Sequence, residues 1–205
     1  MQNIGYITLN ISLIIYLVNF LPQTLHNQFK HSTANISLWT HTLMIIANAL
    51  DLVYAVGFGL EWQYILVDVT LISFLLIQQL QILNDRKTKF IVLHSVLVLM
   101  FLFIVGLVVL YMTAISENYL LLLGSFSGIV YNIYWLPQIY KNYQQKNAEG
   151  FSIYFLWLTL ISAVCDISSA VFLGWPIISA LTSAGLSILV SIQVFQYFFY
   201  KTKKD

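Results

Sequence analysis

Seven apolar stretches of membrane-spanning length fill most of this chain of 205 residues. A helix needs about 20 mainly apolar residues to cross a bilayer. The stretches lie at 4–21, 36–57, 63–83, 90–114, 119–139, 151–173 and 176–199. Only 8% of the residues are charged, against about 25% in a soluble domain. Because backbone polar groups have no water partner in hydrocarbon, the sequence predicts an all-α membrane protein with seven transmembrane helices. This composition excludes a soluble enzyme and a basic nucleic-acid-binding domain.

The basic residues indicate the orientation of these helices. With seven spans, every second loop shares a side with the C-terminus, and all nine Lys and Arg residues fall on that side. They are Lys30, Arg86, Lys87, Lys89, Lys141, Lys146, Lys201, Lys203 and Lys204. The opposite side carries Glu61 and Glu117 and no cation. The positive-inside rule then predicts a cytoplasmic C-terminus and an outer or lumenal N-terminus. The short loops favour a bacterial cytoplasmic membrane over an endomembrane.

The chain repeats itself at an offset of 115 residues. Between 16–81 and 131–196, 17 of 66 positions are identical without a gap, and several of them are polar residues that shared hydrophobicity would not align. Each repeat holds three helices. The predicted units are a first triplet at 1–84, a connector helix at 85–118, and a second triplet with a basic tail at 119–205. A single joining helix inserts both triplets in the same direction, which is an arrangement that transporters use.

A proline–glutamine motif occurs once in each repeat. The first copy is Leu21-Pro22-Gln23, Asn27 and Asn35-Ile36-Ser37, and the second is Leu136-Pro137-Gln138, Asn142 and Gly150-Phe151-Ser152. This pattern resembles the PQ-loop family, although Asn35 stands where the family often has Gly. The resemblance covers almost the whole chain and implies a 3+1+3 carrier that binds its substrate between the triplets. Relatives of the family include lysosomal amino-acid exporters such as cystinosin, the SWEET and SemiSWEET sugar transporters, and the KDEL receptor.

The prolines of the motif also predict a local distortion of their helices. Pro22 and Pro137 cannot donate a hydrogen bond to the carbonyl group four residues earlier, and each proline ring clashes with that group. A kink near the cytoplasmic end of the helix is a natural hinge for a gate. Gln23 and Gln138 would then line the gate or bond the freed carbonyls. The alternative is a static kink with interfacial glutamines, and the family resemblance favours the gate.

Acidic residues inside the predicted spans are the strongest candidates for a binding site. Asp51 and Asp166 match each other in the repeat, and no Lys or Arg lies in any span to pair with them. They must be protonated, exposed to water, or bound to a cationic solute or ion. The alternative is a protonated Asp that hydrogen-bonds between helices. Asp68 is matched by Ser183, so it is either a proton site present in one half alone or a hydrated residue near the interface.

Several further polar residues are expected to line the same cavity. Asn48 lies three residues before Asp51, which places both on one face of a helix. Tyr16 and Tyr131 match each other in the repeat, and Asn132 follows Tyr131, one to two turns before the Pro-Gln motif. We therefore include these four residues among the candidates for binding the substrate or a proton.

Taken with the resemblance, these residues predict an alternating-access membrane transporter of a small polar solute. The predicted solute is a cationic or zwitterionic amino acid, coupled to protons through the intramembrane aspartates. A facilitative sugar transporter of the SWEET type is one alternative. It ranks second because the resemblance aligns Asp51 and Asp166 with a sugar-stacking Trp of SemiSWEETs. A receptor of the KDEL-receptor kind is the other alternative to an amino-acid transporter. We expect no catalytic residue, no metal site, no cofactor besides the proton, and no partner besides the solute and the lipid bilayer. One chain should suffice, because the two triplets complete the pore.

Overall fold

Helices make up nearly all of the computed structural model, which describes residues 2–30, 33, 36–111, 115–148 and 151–201. Its helices are α1 (Gln2–Lys30), α2 (Leu38–Phe58), α3 (Trp62–Arg86), α4 (Lys89–Tyr111), α5 (Glu117–Ile133), α6 (Leu136–Gln145), α7 (Ile153–Leu173) and α8 (Ile177–Lys201). Seven segments are long and apolar enough to cross a membrane, and α5 and α6 together form the fifth of them. The prediction of an all-α protein with seven spans is confirmed. The chain is a multi-pass membrane protein.

Some positions used in the sequence analysis lie outside the described residues. They are Asn35 and Gly150 of the motif, residues 112–114 at the end of the fourth predicted span, and the tail lysines Lys203 and Lys204. Among the described residues, the clearest difference in boundaries is in α1. This helix continues for nine residues past the predicted end at residue 21, to Lys30. Its extension carries buried polar side chains rather than apolar ones, so hydropathy alone could not detect it.

Six helices form a closed ring whose order differs from the chain order. Helix α3 packs between α1 and α2, and α8 packs in the same way between α5 and α7. The two triplets meet along two seams, α1 against α7 and α2 against α5. Helix α4 lies outside the ring against α2 and α3. The predicted 3+1+3 arrangement is therefore confirmed, and the first helix of each triplet packs on the second helix of the other.

Glycine residues end the second helix of each triplet. Gly59 follows α2 and Gly174 follows α7, with φ angles of 64° and 72°. This left-handed conformation costs glycine little because glycine has no Cβ. It lets the next residue donate back to the helix, as Trp175 N does to the Ala170 carbonyl at 3.0 Å. The two caps are 115 residues apart and turn the chain into α3 and α8 in the same way.

The two proline-containing helices differ in the structure. Helix α1 continues through Pro22 without interruption. In the second repeat, α5 ends at Ile133, and α6 begins at Leu136 after two intervening residues, with Pro137 in its first turn. Tyr134 and Trp135 between them keep near-helical angles, with φ and ψ of −62° and −20°, and −75° and −27°. The predicted distortion is thus present as an interruption at Pro137, whereas α1 accommodates Pro22 within one helix.

Polar contacts hold the connector helix to the first triplet. Thr42 Oγ1 of α2 lies 2.7 Å from His94 Nε2 of α4. Gln79 Nε2 of α3 donates to Ser95 Oγ of α4 at 2.7 Å. These contacts fall on the outer side of the ring. Helix α4 is therefore fixed to the first triplet without contributing to the lining of the ring's interior.

Candidate functional site

The ring encloses a cavity whose empty space, with its open part included, is about 1040 Å³. All six ring helices contribute to its lining, and three carboxyl groups are among the lining side chains: Asp51 of α2, Asp68 of α3 and Asp166 of α7. No Lys, Arg or His is among the described residues that line it. Within the described ranges, no cluster of three or more His, Cys, Asp or Glu side chains could hold a metal ion. Because its described lining holds three carboxyl groups and no basic side chain, the cavity is acidic.

Asp166 accepts hydrogen bonds from two hydroxyl groups of α1. Ser12 Oγ donates to Oδ1, and Tyr16 OH donates to Oδ2 at 2.7 Å. Ser12 and Tyr16 are four residues apart, so their side chains lie one above the other on the same helical face. Because α1 belongs to the first triplet and α7 to the second, these bonds join the two repeats across one seam.

Asp51 is held by hydroxyl groups in a related but not identical way. Ser127 Oγ of α5 donates to Oδ1 at 3.2 Å, and Tyr64 OH of α3 donates to Oδ2 at 2.8 Å. Ser127 is the repeat counterpart of Ser12, so each of these serines bonds the aspartate of the opposite triplet. The tyrosine at Asp51 comes instead from its own triplet. The serine–aspartate contacts therefore follow the repeat symmetry, and the tyrosine contacts do not.

Asp68 lies in the same cavity but has a different environment. Its side chain is 2% exposed, and Oδ2 is buried without a hydrogen-bond partner in the part of the chain that the structure describes. Its repeat counterpart, Ser183, also lines the cavity. Of the two sequence-based alternatives for Asp68, the structure therefore places it inside the cavity and not at a hydrated interface. Among the three carboxyl groups, that of Asp68 is the one with a buried oxygen that has no hydrogen-bond partner among the described residues.

Three of the four remaining sequence candidates line the cavity, and one does not. Tyr131 OH donates to Asn48 Oδ1 at 2.8 Å, while Tyr16 bonds Asp166. Asn132 is absent from the lining. Its side-chain amide donates to the Gly128 carbonyl one turn earlier at 2.9 Å, and it packs against α8 at Gly185. Asn132 follows Tyr131 by one residue, so its side chain is rotated by about 100° around the helix axis and lies away from the cavity.

Aromatic side chains close one end of the cavity. Phe20 of α1, Trp135 at the α5–α6 junction and Phe155 of α7 line its base and are at most 3% exposed. The ring centroids of Phe20 and Phe155 are 4.9 Å apart in an edge-to-face arrangement, which is favourable for aromatic pairs. Phe20 and Trp135 are repeat counterparts, each two residues before the motif proline. We call these three residues the aromatic floor, and the end of the ring beyond them the Pro–Gln end.

Beyond the floor, the motif glutamines join the two repeats. Gln23 Oε1 accepts from the Ser152 backbone N–H at 2.7 Å, and Gln138 Oε1 accepts from the Ser37 backbone N–H at 2.9 Å. Each glutamine thus bonds the N-cap residue of a helix in the opposite triplet. We call these two symmetric contacts the glutamine clasp. It holds the Pro–Gln end closed in this structure.

The clasp is anchored by a second pair of matched bonds within each triplet. Gln23 and Gln138 donate to Asn27 and Asn142 at 2.9 and 2.8 Å. These asparagines donate in turn to the third helix of their own triplet, at Gln81 and Gln196, over 3.1 and 3.2 Å. The candidate gating residues Pro22, Gln23, Pro137 and Gln138 therefore lie together at one end of the molecule. Their glutamines are fixed in position by buried polar networks.

Sequence reasoning missed several residues of the site. Ser12 and Ser127 are the most important, because they bond the two paired aspartates. They match at the same offset of 115 residues, but they lie four residues before the aligned window began. Extending the alignment by one helical turn would have found them. Tyr64 has no tyrosine counterpart, since Ser179 occupies the matched position, and no sequence signal indicated its contact with Asp51.

Comparisons with known proteins agree with this geometry. A search of curated protein sequences gives no match. The chain is similar in fold to a solved eukaryotic SWEET transporter, with a TM-score of 0.68, 18% sequence identity and coverage of 98% of both chains. The family model described as PQ loop repeat matches residues 4–64 and 119–179, which together are more than half of the chain and are again offset by 115 residues. The chain belongs to the PQ-loop repeat family.

Proposed function

We propose that this protein is an alternating-access transporter of a small cationic or zwitterionic amino acid, coupled to protons through its cavity aspartates. The observation that carries the proposal is the presence of Asp51, Asp68 and Asp166 in one cavity whose described lining has no basic side chain. A buried carboxylate without a cation is costly. A solute that brings an ammonium group into the cavity removes that cost, and so does a proton.

The three aspartates divide this work unequally. Asp51 and Asp166 each accept hydrogen bonds on both oxygens from hydroxyl groups, so their positions are fixed. Asp68 has an oxygen without a partner. An ammonium group has three donors and needs acceptors in a fixed arrangement. We therefore assign Asp68 as the carboxyl group that contacts the solute's amino group or carries the coupling proton when the solute has left. Asn48, Tyr16 and Tyr131 would complete the polar lining.

The interruption at Tyr134 and Trp135 is the proposed hinge of the gate. Pro137 removes one backbone hydrogen bond there, so bending at this point breaks fewer bonds than elsewhere in the helix. Release of the glutamine clasp would free α6 and open the aromatic floor. Pro22 would act as a weaker hinge, since α1 remains one helix. Alternating access then consists of closing the opposite end as the Pro–Gln end opens.

We propose that the Pro–Gln end faces the cytoplasm. Arg86, Lys87, Lys141 and Lys146 all lie at this end, in keeping with the positive-inside rule. The N-terminus would then lie outside, and the membrane would be a bacterial cytoplasmic membrane. The cavity is complete within one chain, so a monomer would suffice.

A facilitative sugar transporter is the second candidate, favoured by the similarity of the fold to a SWEET transporter. The two candidates differ in what the aspartates do. A neutral sugar leaves the carboxyl groups without a countercharge, so transport would not need them to change protonation. A receptor for an acidic peptide is disfavoured, because acidic side chains face the space such a peptide would fill.

The test is uptake by proteoliposomes containing the purified protein. Radiolabelled lysine, leucine and glucose would be supplied with and without an imposed pH gradient. We expect uptake of an amino acid that increases with the gradient, and a loss of at least about tenfold in Asp68→Asn, since the loss of one charged hydrogen-bond partner costs about 1.5–3 kcal/mol. Glu117→Gln is the matched control, because Glu117 is exposed at the start of α5 and outside the cavity.

The outcomes separate the two candidates. Uptake of glucose alone, unaffected by the gradient and by Asp68→Asn or Asp166→Asn, would refute the amino-acid proposal and favour the sugar transporter. Amino-acid uptake that ignores the gradient would retain the substrate class and remove the proton coupling. Uptake of none of the three would refute the proposal as stated.

A further inference from the structure

We propose that Gln78 and Gln193 form a second binding station for the solute, on the far side of the aromatic floor from the aspartates. The inference rests on the proposed transport function and adds a residue pair that the cavity does not include. The two glutamines occupy matched positions in α3 and α8, 115 residues apart. We call them the glutamine pair.

The glutamine pair is buried, and its side chains make no hydrogen bond within the part of the chain that the structure describes. Gln78 and Gln193 are 2% and 1% exposed. Nε2 of Gln78 and both amide atoms of Gln193 have no hydrogen-bond partner among the described residues. A buried polar group without a partner destabilises the folded state by about 1–3 kcal/mol. A group of this kind in a folded protein needs an explanation, such as a functional role or a bound water or ion.

Helical register places the glutamine pair on the axis of the cavity. Leu71 of α3 and its counterpart Leu186 of α8 are the last residues of these helices to line the cavity. Gln78 and Gln193 each follow seven residues later. Seven residues are two turns, or about 10 Å, and return a side chain to nearly the same face. The pair therefore continues the cavity-lining face of both helices past the floor, toward the Pro–Gln end.

Neighbouring glutamines on other faces of the same helices are hydrogen-bonded. Gln79 donates to Ser95 of α4. Gln81 and Gln196 join the asparagines of the motif networks. Each of these neighbouring glutamines thus makes at least one hydrogen bond to another helix, although Oε1 of Gln79 is also buried without a partner among the described residues. The side chains of Gln78 and Gln193, which face along the axis of the ring, make none among the described residues.

The chemistry of the pair suits a transient contact with a polar solute. A primary amide offers two donors and an acceptor without a net charge. It can bond an ammonium or a carboxylate group without holding either as tightly as an aspartate would. When the floor opens, a solute leaving the aspartates would meet Gln78 and Gln193 before it reached water. Two stations on either side of a barrier favour passage over trapping, since neither binds the solute too strongly to release it.

Cysteine accessibility tests this inference without knowledge of the solute. Gln78→Cys and Gln193→Cys would each be made in a Cys165→Ser background and exposed to MTSET, a cationic thiol reagent that does not cross membranes. The reagent would be added to the Pro–Gln side or to the opposite side of oriented vesicles. Because thiol modification requires access, we expect reaction from the Pro–Gln side alone, at least about tenfold faster than in the control. The control is Gln79→Cys, equally buried at the adjacent position but directed at α4.

Thermal unfolding gives an independent check, which remains informative if one of the cysteine variants does not fold. Gln193→Leu should keep or raise the Tm, because the amide it removes has no hydrogen-bond partner among the described residues, while Gln196→Leu should lower it. If Gln193→Leu lowered the Tm as much as Gln196→Leu, the amide would have a structural partner and the proposal would fall. The proposal would also be refuted if Gln78→Cys and Gln193→Cys reacted no faster than Gln79→Cys, both with the clasp intact and in a Gln138→Leu background that weakens it.

These results are separable from failure of the proposed function. If the cysteines react from the Pro–Gln side while lysine, leucine and glucose are not taken up, the station stands and the solute class is wrong. If amino-acid uptake is found and the cysteines do not react, transport stands and the station is refuted.

Discussion

The glutamine clasp gives the sharpest prediction about conformational change. Gln138 accepts a hydrogen bond from the Ser37 backbone N–H and donates one to Asn142 Oδ1, over 2.9 and 2.8 Å. Gln138→Leu removes both bonds while roughly keeping the side-chain volume. Because Ser37 belongs to the opposite triplet, one of these bonds must break when the triplets separate at the Pro–Gln end. The substitution therefore penalises the closed state more than the open one.

The expected magnitude follows from the groups that lose a partner. The Ser37 N–H is buried, and leaving it unpaired costs the closed state about 1–3 kcal/mol. The bond to Asn142 lies within one triplet, so its loss affects the closed and open states alike. A penalty of about 2 kcal/mol on the closed state alone decreases the ratio of closed to open protein about thirtyfold.

The assay reads the open state through a thiol inside the cavity. Ser183→Cys in a Cys165→Ser background places that thiol on the cavity side of the aromatic floor. MTSET added at the Pro–Gln end reaches it when the floor is open, so the reaction rate should rise about thirtyfold with Gln138→Leu, following the population shift. Gln144→Leu is the control, since Gln144 is exposed on the same helix and bonds Tyr140 locally. A rate that equals the control while the Tm falls would show that the clasp stabilises both states and does not control the gate.

Two further predictions concern helix packing. Gly124→Ala should lower stability by about 1–3 kcal/mol, the usual range for overpacking, because its Cβ would lie 2.6 Å from the Tyr54 ring. Gly106→Ala is the control and should leave the Tm unchanged, because nothing lies within 4 Å of the added Cβ. Equal Tm values for the two variants would contradict the close packing of α2 on α5. Gly59→Ala should cost about 1–2 kcal/mol for its left-handed φ of 64°, seen as a lower Tm; an unchanged Tm would mean that the α2–α3 turn rearranges.

Local patterns in the sequence predicted much of this fold. The seven spans follow from hydropathy, and the offset between the repeats follows from matched Pro, Gln, Asn and Asp residues. Asp51 and Asp166 both line the cavity, because two equivalent helices related by symmetry present equivalent faces to a common axis. The orientation in the membrane stays a prediction, because it depends on the bilayer and not on contacts within the chain.

The features that the sequence could not predict depend on packing between helices that are far apart in the chain. The ring order places α3 between α1 and α2, and no periodicity within one helix specifies its neighbours. Without that order, the partners of Asp51 and Asp166 could not be assigned to Ser127 and Ser12 on the opposite triplet. The same limit explains Asn132, whose position near the motif placed it among the candidates although its face packs against α8.

The hydrogen bonds depart from repeat symmetry where the solute is proposed to bind. At the Pro–Gln end, Gln23 and Gln138 make the same bonds in both halves. Inside the cavity, Tyr16 bonds an aspartate while its counterpart Tyr131 bonds Asn48, and the repeat counterpart of Asp68 is a serine, Ser183. A closure shared by two equivalent triplets benefits from symmetry, because both halves then release together. An amino acid has no twofold axis, and its amino and carboxylate groups need different partners. If the solute is an amino acid, as proposed, the unequal lining at these matched positions supplies different partners to its two ends.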